Sequence, residues 1–139
     1  GEIEARAEIH IENYSAVISI EAKTMVDMIR HQILPAVSGY ADELCQRAYH
    51  KDSMGVPCRY EKQAAGKIGT LTDLLLDECL ALEADIAAIP AGSREAMDYC
   101  HTVIVPAMAA ARETADQLET LTADEAWPFP VYSDLLFSV

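Results

Sequence analysis

Positive charge is scarce in this chain, and long apolar runs are missing altogether. Ten Lys and Arg stand against 23 Asp and Glu, for a formal net charge of -13. That deficit excludes nucleic-acid backbones as partners, because binding them takes stripes of Lys and Arg. It equally excludes anionic membrane surfaces. No segment approaches the roughly 20 apolar residues of a membrane span. The longest candidate, Val103 to Ala111, is too short and contains Pro106. Cysteine is sparse and unclustered. Cys45, Cys58, Cys79 and Cys100 fit neither a disulfide framework nor the spacing of a zinc site, and read as reduced thiols. β-Branched residues are scattered and never alternate over a strand length. The first residues show no basic-then-apolar leader, so a cytoplasmic location is expected. A start on Gly1 reads as a piece excised from a longer protein.

What is present is helical periodicity. The 139 residues, half of them apolar, suffice for one domain with a modest core. A first helix is predicted from about Glu2 to Tyr49. Its inward face is expected to carry Tyr14, Val17, Ile18, Met25, Met28, Ile29, Val37, Tyr40 and Leu44. A second, from about Tyr60 to Ile89, places Ile68, Thr72, Leu75, Cys79, Leu82, Ile86 and Ile89 at alternating steps of four and three, a coiled-coil-like seam. A third opens at Ser93 as N-cap, with Glu95 in the first turn, and presents Met97, His101, Ile104, Met108, Ala111, Ala115 and Leu118. Lys51 to Pro57 and Pro90-Ala91-Gly92 supply turn chemistry between them. The expected fold is therefore all-α: an elongated antiparallel bundle of three long helices, or four if the first breaks near Pro35. An extended C-terminal tail is expected to dock on it. Ile33-Leu34-Pro35-Ala36-Val37 and Ile104-Val105-Pro106-Ala107-Met108 echo one another, and each interior proline should kink its helix.

Tests for chemistry mostly fail. Asp98-x-x-His101 puts a carboxylate and an imidazole on one helical face, as in half of a di-iron bundle site. No second such motif exists, and His101 falls on the apolar stripe, where a core histidine is the expectation. Ala65 to Thr70 glances at a phosphate loop, but Ile68 stands where Ser or Thr is needed after Lys67. His31 and His101 are flanked by apolar residues, unlike the exposed histidine of a phosphotransfer module. No nucleophile elbow occurs and no cysteine has an obvious basic helper; Cys58, beside Arg59 in a connector, is the one thiol expected to be reactive. Catalytic, cofactor-binding and metal residues are accordingly none.

The tail is different. Trp127-Pro128-Phe129-Pro130-Val131-Tyr132-Ser133-Asp134-Leu135-Leu136-Phe137 packs four aromatics among aliphatics, behind two prolines expected to end the third helix. Such a stretch calls for a surface to cover it. Trp127, Phe129, Tyr132, Leu135 and Phe137 are the candidate contact residues, aromatics being the usual buried centres of interfaces.

Read together, three stretches resemble the C-terminal extension of type III glutamine synthetases, the large bacterial class. The first runs from Glu4-Ala5-Arg6 through Glu12-Asn13-Tyr14 to Ile20-Glu21-Ala22-Lys23-Thr24-Met25 and Ile33-Leu34-Pro35-Ala36. The second is Val105-Pro106-Ala107-Met108, and the third is the tail itself, its most specific part. The middle, about His50 to Ile89, matches only in character. The resemblance implies a parent that is an ATP-dependent glutamate–ammonia ligase using Mg or Mn. Its catalytic domain would lie upstream, with residues 1–139 as a single helical extension. None of that family's catalytic residues maps onto a position here. The implied role is non-catalytic and structural, with the upstream catalytic domain and neighbouring subunits of a ring oligomer as partners. The alternative is a stand-alone helical adaptor or regulatory module that binds a protein through its apolar tail. A small metalloprotein using Asp98 and His101 is a third possibility.

Overall fold

The computed structural model describes residues 2–130, with side chains from Asn13 onward. Three rods carry the chain. α1 (Glu2–Met28) passes through a π-helical segment, Ile29–Ile33, into α2 (Leu34–Ser53). α3 (Arg59–Ala87) is the second rod. The third is α4 (Ser93–Tyr99), a π segment Cys100–Ile104, and α5 (Val105–Leu121). No strand occurs among the described residues, and no helix there is long and apolar enough to cross a membrane. α3 packs against α1, α2 and α5, and α4 packs against α1.

The first rod does not break at Pro35. A proline at this point cannot donate to the carbonyl four residues back, and its ring presses on that carbonyl. Widening the preceding turn relieves both problems. The Leu34 N–H bonds to the Ile29 carbonyl, five residues back, and the Val105 N–H bonds to Cys100 in the same way. Pro35 and Pro106 each follow the start of their π segment by six residues, so the sequence echo is also a structural one.

That widening shifts the buried face. A π turn takes up more residues than an α turn, so steps of four persist where a fixed α period would call for three. The third rod buries Ala96, Cys100, Ile104, Ala111, Thr114 and Leu118, and His101 is exposed. The expected core histidine is thus wrong by one residue. In the first rod Ile29, Ile33, Val37, Tyr40, Leu44 and Ala48 are buried, joined by Ala22, while Val17 and Met28 face outward. The α3 seam matches its expectation more closely, with Ile68, Leu75, Cys79 and Leu82 fully buried.

The connectors follow their chemistry. At the first, Gly55 takes φ +73°, a left-handed conformation natural to glycine, and the Val56 N–H closes onto the Lys51 carbonyl at 2.8 Å. At the second, Gly92 (φ -73°, ψ 140°) occupies the cap and Ser93 is already helical. A Cβ at Gly92 would collide with the Glu95 carboxylate, which folds back over the positive end of the helix.

Ion pairs bind the rods together. Lys51 Nζ donates to Glu61 Oε2 at 2.5 Å across the α2–α3 connection, and Glu61 is buried. The Arg30 guanidinium bridges to Glu83 from the first rod to α3, its Nε donating at 2.7 Å. Tyr99 donates from α4 to the Asp85 carbonyl at 2.8 Å.

Leu75→Ala should cost roughly 2–5 kcal/mol, read from the urea midpoint at unchanged slope, because it opens a cavity at the centre of the seam. The Lys51 hydrogen bond, helped by the backbone N–H of Glu61 itself, holds the Glu61 carboxyl below its usual pKa. Its charged form therefore supports the fold fully above the ordinary glutamate pKa of about 4.3, and that support is lost as pH falls through the lowered value. Glu61→Gln should melt below the parent at neutral pH, with the gap closing in acid. A gap that stays constant across a melting-temperature series from pH 7 to pH 3 would remove the charge from the account.

Candidate functional site

The tail starts where α5 stops, at Leu121, well short of Pro128. The prolines therefore do not end the helix. Thr122 leaves helical geometry (φ -100°, ψ 136°), and a tight turn follows in which the Ala126 and Trp127 N–H groups both donate to the Ala123 carbonyl, at 2.9 and 3.1 Å. From this turn on, two aromatic side chains pack onto the helices. Trp127 and Phe129 meet edge to face, centroids 6.2 Å apart and planes at 76°. Both are half-buried against the larger core cluster, which includes Ile29, Ile33, Val37 and Ala111. An edge-to-face pair adds about 0.5–1.5 kcal/mol beyond the area it buries.

Beside these rings α1 and α5 stand apart. The gap is a groove of about 710 Å³, with Ile20, Met25 and Met28 on one wall and Met108, Ala111 and Ala115 on the other. Trp127 and Phe129 line part of it. Ile20 is 65% exposed and Met28 36%, so the groove presents apolar surface to water. Its polar rim carries Glu21, Arg112, Asp116 and Glu119. Of the five residues expected to make contacts, Trp127 and Phe129 come together here. Tyr132, Leu135 and Phe137 lie outside the described residues.

The remaining candidates do not converge. Asp98 and His101 are both exposed, and the Asp98 carbonyl accepts from the Thr102 hydroxyl at 2.7 Å. His31 is exposed too, 3.5 Å from Asp27 one turn earlier on the same helix. Among the described residues no three His, Cys, Asp or Glu side chains lie close enough to hold a metal. Cys58, expected to be the reactive thiol, is buried just before α3, and Cys45 is the exposed one. Burial pushes the thiols of Cys79 and Cys100 up, which leaves both protonated and inert at neutral pH. Burial also raises the phenol of Tyr40, with Tyr60 adding to the effect.

Reading the sequence missed the Lys51–Glu61 pair, although a signal was there. Glu61 stands seven residues before Ile68 and so on the same seam of α3. An acid at such a position calls for a buried cation partner.

Comparison with known proteins agrees with the resemblance read above. Residues 1–52 match the family model described as glutamine synthetase C-terminal domain. Over 99% of its length the chain is 28% identical to a glutamine synthetase of Butyrivibrio fibrisolvens. Over 98% it is 26% identical to the type-3 glutamine synthetase of Dictyostelium discoideum, and over 99% it is 23% identical to a glutamine synthetase of Bacteroides fragilis. The chain spans about one fifth of the length of each of these relatives, 20% in every case. From end to end, then, this chain is similar to a segment of glutamine synthetases, type-3 among them, and its first rod carries the match to their C-terminal domain.

Proposed function

We propose that the chain is a non-catalytic structural domain of an ATP-dependent glutamine synthetase. The observation that carries this reading is the match itself, which takes in essentially all of the chain and only a fifth of each relative. A segment similar in that way to glutamine synthetases, and matching their C-terminal domain at its start, is best understood as one part of such an enzyme. The parent reaction would join glutamate and ammonia to give glutamine at the expense of ATP, in the cytoplasm. Mg or Mn would hold the phosphates and neutralise charge as it develops. The residues described here do not fit that metal, since no three potential ligands converge. In this reading metal and nucleotide belong to a catalytic domain upstream.

The three rods form an antiparallel bundle in this reading, with the tail docked on it. Trp127, Phe129, Tyr132, Leu135 and Phe137 act as contact residues. The bundle braces the catalytic domain or a neighbouring subunit of a ring oligomer. What supports this is how the described side chains are used: the inward ones fill an apolar core, and Arg30–Glu83 and Lys51–Glu61 stiffen the rods.

The test uses the chain as it stands and the longest natural product that contains it. Glutamine formation from glutamate, ammonia and ATP is expected from the longer protein and not from residues 1–139. Deleting the helical segment should lower the mass of the longer protein's assembly, measured by light scattering. An unchanged assembly would overturn the structural role. A longer product without ligase activity would overturn the parentage and favour an independent adaptor. Trp127→Ala, which strips a half-buried indole from the core, should lower the melting temperature of the 139-residue chain by about 5 °C. An unchanged melt would show that the indole's place on the bundle adds nothing to stability.

A further inference from the structure

We infer that the outward stripe of α3 is the surface through which two copies of this chain pair, antiparallel, about Ile68. This goes beyond the reading above, which places no contact on α3, and it stands without the ligase parentage.

Charge along α3 is the first argument. Arg59, Lys62 and Lys67 lie in its first third with a single acid, Glu61, which is already bound to Lys51. From Ile68 to Ala87 there are five acids and no cation. This order opposes the helix's own dipole, whose positive N-terminal end favours acids and whose negative C-terminal end favours bases. No base stands in the last turn. Arg59 and Lys62, three apart, and Asp73 and Asp77, four apart, are also like-charge neighbours that weaken a helix. Local stability therefore does not account for the pattern, whereas opposite charge brought from outside does.

Geometry is the second argument. Arg59, Lys62, Gly66, Thr70, Asp73 and Asp77 follow steps of three and four, so they share one face, and all six are exposed. That face lies across the helix from the buried Ile68, Leu75 and Leu82. Among the described residues Arg59, Asp73 and Asp77 have no ion-pair partner. Lys62 reaches Asp52 at 3.8 Å, with both side chains largely exposed.

The stripe is complementary to itself when run backwards. Arg59 and Asp77 stand nine residues either side of Ile68, and Lys62 and Asp73 stand six and five. Antiparallel pairing about that point brings Arg59 and Lys62 of each copy to Asp77 and Asp73 of the other, as two-fold symmetry requires. Gly66 and Thr70 fall at the crossing and leave room for it. The same register carries Leu80, 47% exposed, toward the second copy's Val56, 45% exposed. An acidic partner of another kind would suit Arg59 and Lys62 but repel Asp73 and Asp77, and a basic one the reverse. A second copy satisfies both. The net charge of -13 on each copy is no obstacle, because exposed charges more than about 8 Å apart are largely screened at physiological salt.

The experiment is sedimentation equilibrium of the 139-residue chain, with reductant to keep the exposed Cys45 a thiol. One helix pair is smaller than a standard interface, so dimerisation is expected at roughly 100 µM, and a chain still monomeric at about 1 mM overturns the inference. The dimer should weaken about tenfold between about 0.05 and about 0.5 M salt. Two double variants then test the pairing: Arg59→Glu with Lys62→Glu, and Asp73→Lys with Asp77→Lys. All four positions are exposed, so the fold is not threatened, and circular dichroism checks that. Each variant alone should be monomeric, and an equimolar mixture of the two should form a heterodimer tighter than the parent dimer. A dimer that survives either reversal uses another surface and overturns the inference. A mixture that stays monomeric overturns it too. None of these measurements involves glutamine formation, so this inference and the ligase reading can fail separately.

Discussion

One stripe of α3 holds the molecule together, because that helix packs along the first rod through both α1 and α2 and against α5 of the third. Ile68, Leu75, Cys79 and Leu82 are fully buried and recur at intervals of seven, four and three. Buried residues of the first rod and of the third share their clusters. The larger cluster gathers Ile29 through Leu44 with Ala111 and Leu118 around the upper part of the stripe. The smaller one gathers Ala22, Cys100 and Ile104 around Leu82. Burying a large aliphatic side chain contributes about 1.5–3 kcal/mol, so a few such positions outweigh the exposed ion pairs, which contribute little individually.

The two interior prolines set the second constraint. Each forces its rod to find a partner for a carbonyl that proline cannot serve, and each rod answers with a π turn just before it. The two turns shift the buried faces of their rods in the same sense. Alongside the straight seam of α3, the shifted faces still meet it, through Ile29 and Ile33 on one side and Cys100 and Ile104 on the other. Because the solution is the same in both rods, neither has to break.

Much of this was legible in the sequence. Three rods, both connectors and the α3 seam follow from periodicity and from Gly and Pro, which act through local sterics alone. His101 misled because its neighbours suit a fixed α period, and nothing in those residues announces a π turn except the proline five positions later. Cys58 misled for a related reason: a loop composition says nothing of whether the thiol points inward. The cross-rod pair Arg30–Glu83 joins residues 53 apart and depends on rod alignment, which no local pattern encodes. At the candidate site, the aromatic character of Trp127 and Phe129 was plain. The groove beside them exists only because α1 and α5 diverge, a tertiary fact.

The short connector at Gly55 has a kinetic consequence. Five residues separate α2 from α3, and their pairing closes a small loop at little entropic cost. Contacts of that kind form early, whereas those that bring α5 back beside α1 span some ninety residues and form later. As the chain is synthesised from its N-terminus, the first two rods can therefore zip together while the third is still being made. Until then the inward faces of Ala22 and Leu82 have no cover from Cys100 and Ile104. The half-made domain is a sticky hairpin, and the arrival of the last rod is what makes it a finished surface.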